Sequence, residues 1–163
     1  MNIELLAVTE DARIAEFVRL LEPELSEAVI SARLAEMVAQ GYGCAGVFKA
    51  GVLLGIAGFS TRTHCFSGRV MYVENVVFLP EARNQGAGEA LMIWLENLAR
   101  ELGCEMLTLD AYARNERARA FYARIGYDPR GVHFVKELGA SCNTRQPSSI
   151  QAFDKTRARH GSG

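Results

Sequence analysis

The residues of this chain best suited to chemistry lie in the stretch VVFLPEARNQGAGEAL, residues 76–91, where an apolar strand ends at Pro80 and Arg83-Asn84-Gln85-Gly86-Ala87-Gly88 opens a helical pattern. Such a junction supports anion binding. The first N–H groups of a helix have no intrahelical partners and carry about half a positive charge, so a phosphate group is favoured there. Gly86 and Gly88 remove side chains that would hold a pyrophosphate away from the main chain, and Arg83 adds a cation nearby. Glu89 in the first turn suits the helix dipole with or without a ligand. A simple tight turn is the alternative reading of Gly-x-Gly on its own. A dinucleotide fingerprint needs a third glycine and an acidic residue about 20 positions on, and that set is not met. A Walker loop needs Gly-Lys-Ser or Gly-Lys-Thr, which does not follow here.

Other reactive groups are scattered, and each has a plain structural reading beside a functional one. Asn115 opens the run NERARAFYARIGY and is a good helix N-cap. Tyr122 shares an apolar stripe with Ala118, Phe121 and Ile125, so a core tyrosine with a satisfied hydroxyl is its alternative. Glu74 sits in a strand and could face solvent. Trp94 reads as packing, His64 and His133 as isolated surface residues, and Cys104 as buried. Cys44, Cys65, Cys104 and Cys142 form no Cys-x-x-Cys pair and have no His at ligand spacing, so reduced thiols and no metal site are expected.

The elements that must position these groups follow from periodicity. Residues 1–8 read as a strand ending at Thr9, a possible N-cap, and 12–21 as a helix. A second helix runs over 26–40 and stops at Gly41. Segments 43–48 and 52–59 predict an antiparallel hairpin joined by Lys49, Ala50 and Gly51. A long β-branched and aromatic strand covers 69–78, with a loop over 60–68 before it. Leu91, Trp94, Leu95, Leu98 and Leu102 place a helix before Gly103, 105–109 is a strand, and 115–125 is a helix capped by Gly126. Residues 132–138 read as a last strand, although Lys136 and Glu137 blur its alternation. From Gly139 the chain is polar and small, which predicts a core domain over 1–138 and a flexible tail over 139–163.

With 163 residues and 49% hydrophobic positions, one domain with a substantial core is expected. A net charge of -1 lacks the broad basic surface that draws nucleic acid by counterion release. The start, MNIELLAVTEDARIAEF, is acidic and amphipathic where a secretory leader is basic and then apolar. No run approaches the roughly 18 apolar residues of a membrane span. No nucleic acid, no membrane and a cytoplasmic location are the resulting expectations.

The spacing Arg83-x-x-Gly86-x-Gly88 after a strand ending Val-x-Phe-x-Pro resembles the pyrophosphate loop of the GNAT N-acetyltransferases. The run from Asn115, with Asn-x-x-Ala-x-x-x-Tyr and then Gly126-Tyr127, resembles the second signature of that superfamily at its usual order and distance. The resemblance is strongest from Tyr72 to Tyr127. It implies an α/β fold of the α+β type, with a mixed, mostly antiparallel central sheet of about six to seven strands flanked by about four helices. It also implies acetyl-CoA as cosubstrate with no metal. Pantetheine would pair as an extra strand with main-chain groups of Val76, Val77 and Phe78. The pyrophosphate would rest on Asn84, Gln85, Gly86, Ala87, Gly88 and Glu89, with Arg83 leading the loop. Asn115 matches the asparagine that contacts coenzyme A, and Tyr122 the tyrosine near the thioester sulfur.

The implied reaction is direct acetyl transfer to a primary amine of a small molecule. Acetylation of protein amino groups, and a coenzyme-A-binding sensor with little catalysis, stand as alternatives. A protonated amine cannot attack a carbonyl, so a base is required. Glu74 is the first choice because strand alternation places it on one face with Val76 and Phe78. Tyr72 shares that face, His64 lies in the preceding loop, and Asn75 stands where many relatives carry an acidic residue. Tyr122, a phenol of pKa near 10, can protonate a departing thiolate of pKa about 8.5. An acyl-cysteine route through Cys65 or Cys104 is the less favoured alternative. Many relatives pair through their sheets, which makes a homodimer an expectation.

Overall fold

The computed structural model describes residues 1–82, 85–136 and 138. It divides into two units, Met1–Pro129 and Arg130–Gly163. The first contains β1 (Asn2–Leu6), α1 (Ala12–Leu21), α2 (Glu27–Ala39), β2 (Gly43–Lys49), β3 (Val52–His64), β4 (Gly68–Phe78), a 3-10 turn (Pro80–Ala82), α3 (Ala87–Glu101), β5 (Met106–Leu109) and α4 (Glu116–Arg124). The strands form one sheet in the order β1-β2-β3-β4-β5. Every pairing is antiparallel except β4 with β5.

The predicted class holds: a mixed, mostly antiparallel sheet with four helices among the described residues. The strand count is lower, five in place of six to seven. Residues 132–136 and 138, expected in a last strand, have no regular secondary structure. Val132, Phe134, Val135 and Leu138 are all exposed. Adjacent Phe134 and Val135 cannot both face one side of a pleat, and Lys136 breaks the alternation further, so no face of that segment can bury cleanly. The tail expected from Gly139 lies outside the described residues, as does Glu137.

Local chemistry explains the boundaries. Asp11, two positions beyond the expected Thr9, caps α1 by accepting from the Arg13 N–H, because the main-chain N–H groups of Glu10 and Asp11 first fold back onto the Ala7 carbonyl. Ser26 caps α2 through the Val29 N–H. The β2–β3 turn is shorter than predicted: Lys49 pairs with Val52, and Ala50 and Gly51 take φ of 50° and 79°. Two left-handed residues match the twist of a two-residue hairpin. The expected loop over 60–68 is instead mostly strand, with β3 continuing to His64 opposite Gly68.

Two clusters sandwich the sheet. On one face Ala45, Val47, Met71 and Val73 pack on Leu91, Met92 and Leu95 of α3, with Phe121, Tyr122 and Ile125 of α4 against them. On the other, Cys44, Ile56 and Val77 pack on Ile14, Phe17 and Val18 of α1 and Ile30 and Leu34 of α2. Each such aliphatic side chain stabilises the fold by about 2 kcal/mol when buried. Strand β4, held from both sides, is therefore a rigid platform.

Candidate active site

The regular ladder of β4 breaks at one place. Glu74 pairs with Gly58 and Val77 with Ile56, so Asn75 and Val76 together stand opposite Ala57 alone. This is a β-bulge, with Asn75 at a φ of 52°. On its other side β4 pairs with β5 only from Val70↔Met106 to Val73↔Leu109. From Glu74 to Phe78 the edge that faces away from β3 has no strand partner among the described residues. Main-chain donors and acceptors along that edge are thus left without a ladder beyond the end of β5 at Leu109, a gap in the pairing of the sheet.

The bulge corrects the alternation argument for Glu74. Met71 and Val73 face α3, which puts Tyr72 and Glu74 on the α1–α2 face. Beyond the extra residue the parity reverses: Val77 joins the α1–α2 cluster, and Val76 and Phe78 pack on the α3 side. Glu74 therefore lies on the face opposite Val76 and Phe78. Its carboxyl is half-buried, and burial raises its pKa above the usual carboxylate range while Arg62 draws it back. Tyr72 donates to Asp110 Oδ2 at 2.6 Å, and the Arg62 guanidinium sits 4.6 Å from its ring centroid. Burial and the neighbouring Asp110 carboxylate push that phenol up to about 12.

At the far end of β4 the chain passes through the 3-10 turn into α3. Gly86 is the N-cap residue, at φ 77° and ψ 0°, and no side chain caps the helix. Its left-handed conformation excludes most other residues, and the space a Cβ would enter is open to 4 Å. A Cβ on Gly88 would meet Phe121 Cζ at 3.2 Å and Phe78 Cε2 at 3.7 Å, so that glycine lets β4, α3 and α4 converge. Gln85 is fixed from two sides: its Nε2 donates to the Glu81 carbonyl at 2.6 Å, and Lys49 Nζ donates to its Oε1 at 2.7 Å. Glu89 is neutralised by Arg124 of α4 at 2.9 Å. Ala87 is buried at the start of the helix. Arg83 and Asn84 lie outside the described residues.

Helix α4 brings up the remaining side chains. Asn115 caps it, its Oδ1 accepting from the Ala118 N–H at 3.1 Å, as its residue type suggested. Tyr122 is half-buried between Phe121, 5.2 Å away edge-on, and Tyr127, 5.8 Å away. Burial raises its pKa. Its hydroxyl hydrogen-bonds to none of the described residues, nor is it sealed from solvent without a partner. Tyr122 belongs to the α3-side cluster and Glu74 to the opposite face, on the two sides of the parted strands.

Several expected contributors lie elsewhere. His64 pairs with Gly68 at the hairpin tip, six positions along β3 from Gly58, or about 20 Å at strand rise. Cys65 is beyond it, and Cys104 leads into β5 at the same end, where Glu105 N–H bonds the Arg69 carbonyl. Neither thiol is at the gap. Cys44 is buried, and its thiol is pushed up to about 12. Lys49, Arg124 and Asp110 were not anticipated as site residues, because each meets its partner 35 to 38 positions away in sequence.

The sequence pattern of the acetyltransferase (GNAT) family matches residues 6–127. The chain belongs to that family. Among curated proteins it is 35% identical over 66 residues to an aminoalkylphosphonate N-acetyltransferase of Salmonella typhimurium, a match covering 40% of this chain and 43% of that protein. It is 34% identical over 80 residues to an aminoglycoside N(6')-acetyltransferase type 1 of Klebsiella aerogenes, covering 47% and 53%. The matched stretch thus spans about half the length of these relatives. Among solved structures, an aminoglycoside N-acetyltransferase in complex with CoA superposes with a TM-score of 0.74 at 20% identity, over 85% of this chain and 95% of that one, which shows a shared fold. Among the described residues no group of three or more His, Cys, Asp or Glu could hold a metal ion, and no helix is long and apolar enough to cross a membrane.

Proposed function

We propose that this GNAT protein is an acetyl-CoA-dependent N-acetyltransferase that passes an acetyl group directly to a primary amine of a small molecule. The observation that carries the reading is the parted edge of β4 leading to the uncapped start of α3. Residues present fit coenzyme A on that ground: an amide-bearing chain matches the open main-chain edge of Val76, Val77 and Phe78, and an anion matches the free N–H groups of Ala87, Gly88 and Glu89. The open space in front of Gly86 leaves room for a phosphate, and Gln85, held by Lys49, shapes the approach. Arg83 and Asn84 are assigned to the same loop by sequence position, and Asn115 stands at the start of α4. Acetyl-CoA supplies an activated acyl group as a thioester.

The side chains then divide the proton work. Glu74, with its pKa raised by burial, is a stronger base than a surface carboxylate and takes the proton of the acceptor ammonium. The Tyr122 hydroxyl, a phenol and so protonated at neutral pH, has its pKa raised further by burial, and it delivers its proton to the departing sulfur. Main-chain donors of the parted β4 edge are placed to favour negative charge on the acyl oxygen. The two curated relatives named above act, by name, on small amine-bearing molecules, which supports a small-molecule acceptor.

The test is release of free thiol from acetyl-CoA across a panel of aminoalkylphosphonates, aminoglycosides, polyamines and peptide N-termini. Turnover confined to small amines is expected. Binding of acetyl-CoA with no turnover for any amine would replace the enzyme by a coenzyme-A-binding module. Turnover of peptides alone would move the substrate class to protein amino groups.

A further inference from the structure

The bulge in β4 decides which groups reach each face, yet a β-bulge can be lost by slippage unless something fixes it. Asn75 is one of two described non-glycine residues at positive φ, and the other, Ala50, belongs to the β2–β3 turn. Asparagine tolerates this region better than most residues, but still pays strain for it. Its side chain has a dedicated partner: Nδ2 donates to Tyr42 Oη at 3.1 Å. Tyr42 is only 6% exposed and packs in the α1–α2 cluster with Ile56 and Val77, the residues that resume the ladder beyond the bulge. The phenol reaches Asn75 because position 58 is glycine; a Cβ there would be driven into the Tyr42 hydroxyl and ring. Gly58 is also the residue paired with Glu74. Three residues from separate strands and a loop therefore converge on one irregular peptide.

We propose that Tyr42 and Asn75 are positioning residues, locking β4 in its left-handed bulge so that Glu74 is presented on the α1–α2 face while the side chains of Val76 and Phe78 turn to the α3 side beside their unpaired main-chain edge. Asn75 acts through its backbone conformation, and its amide serves to hold that conformation against Tyr42. The assignment rests on the proposed acetyl transfer for its kinetic consequence, while the lock itself is a property of the fold. Removing the phenol oxygen leaves Asn75 free to relax toward ordinary strand geometry. That relaxation would withdraw the base and the main-chain donors from their relative placement without removing either.

The experiment uses Tyr42→Phe, which keeps the buried ring, and the double variant Tyr42→Phe with Asn75→Gly, since glycine takes positive φ with no side-chain anchor. Tyr42→Phe should lower kcat by about tenfold or more while KM for acetyl-CoA moves little, as a misplacement near the reacting groups does. Adding Asn75→Gly should restore most of that kcat. The HN–Hα coupling of residue 75, measured by NMR, should change in the single variant and reports on the lock independently of activity. An unchanged kcat and coupling in Tyr42→Phe would overturn the proposal, and so would an impaired Tyr42→Phe that Asn75→Gly fails to rescue, which would assign the Asn75 amide to direct contact. Should Tyr42→Phe not fold, Asn75→Val carries the same test: loss of kcat with KM held supports the lock, and full kcat overturns it. If the wild-type protein releases no thiol with any amine, the acetyl-transfer reading fails, and the coupling of residue 75 alone decides the lock.

Discussion

Replacing Tyr122 by Phe isolates one proton. The ring would stay, and with it the edge-on contacts to Phe121 at 5.2 Å and Tyr127 at 5.8 Å. The hydroxyl makes no hydrogen bond to a described residue, so its removal leaves no partner stranded and should change stability by less than about 0.5 kcal/mol. The effect on turnover should be far larger. General acid catalysis contributes about 10²- to 10⁴-fold, equivalent to roughly 3 to 5 kcal/mol of barrier. A thiolate of pKa about 8.5 is already a fair leaving group, which argues for the lower end, near 10². KM for acetyl-CoA should stay within about threefold, because the lost group acts on the reaction and not on binding. Initial rates at saturating amine and acetyl-CoA, with thermal melting as a control, give all three quantities. In the wild type the rate should fall at high pH as Tyr122 loses its proton, and in the variant that limb should vanish. A kcat within about twofold of wild type would refute the acid role outright.

Gly86→Ala places a Cβ in open space but on a backbone at φ 77°, so the loss should come from strain, about 1 kcal/mol, seen as a melting point lower by about 2 to 4 °C together with a raised KM for acetyl-CoA. Lys49→Met frees Gln85 and removes a cation from the loop; KM for acetyl-CoA should rise about three- to tenfold, whereas S-acetylpantetheine, which lacks phosphate, should be used as before, and equal effects on both would sink this role. Glu74→Gln should lower kcat by about 10² and flatten the rise of rate with pH on the acid side. The same substitution should stabilise the fold. Because burial raises its pKa, folded Glu74 holds its proton more tightly than the unfolded chain does, so its ionisation weakens the fold as pH climbs from the ordinary glutamate value through the raised one. The melting-point difference between variant and wild type should therefore be larger at pH 8 than at pH 4, and the reverse trend in differential scanning fluorimetry would contradict the assignment.

What could be read from the sequence was whatever depends on near neighbours. The stripe of Leu91, Leu95 and Leu98 marked α3, Asn115 announced its helix as a cap, and Gly86 and Gly88 marked the start of α3, where Gly86 takes a left-handed conformation. The length of β3 was hidden because Ser60 to His64 is polar, with Thr61 to His64 exposed, so no alternation marks it, and only its ladder with β4 makes it a strand. The last strand failed for the opposite reason: residues 132–138 have apolar content without the alternation a pleat needs. Lys49 and Arg124 had no local sign, since Gln85 and Glu89 are brought to them only by the folded sheet and by the packing of α4.

That Glu74 does not share a face with Val76 and Phe78 has a single physical origin. Side chains in a strand alternate with a period of two, so one extra residue exchanges the faces of everything beyond it. Counting outward from Val73, the rule is right for Glu74 and wrong for Val76 and Phe78, because Asn75 and Val76 together face Ala57. Nothing in the spelling VENVVF marks the insertion except an asparagine, the residue most at ease at positive φ after glycine. Under the proposed function the exchange has a use. Had β4 been regular, Glu74 would have shared one face with the side chains of Val76 and Phe78. With the bulge, Glu74 meets the amine from the α1–α2 face while Tyr122 approaches the sulfur from the α3 side, and the gap left where β5 stops at Leu109 joins the two. Restoring regular pairing at Asn75 would thus disable acetyl transfer even with every reactive side chain retained.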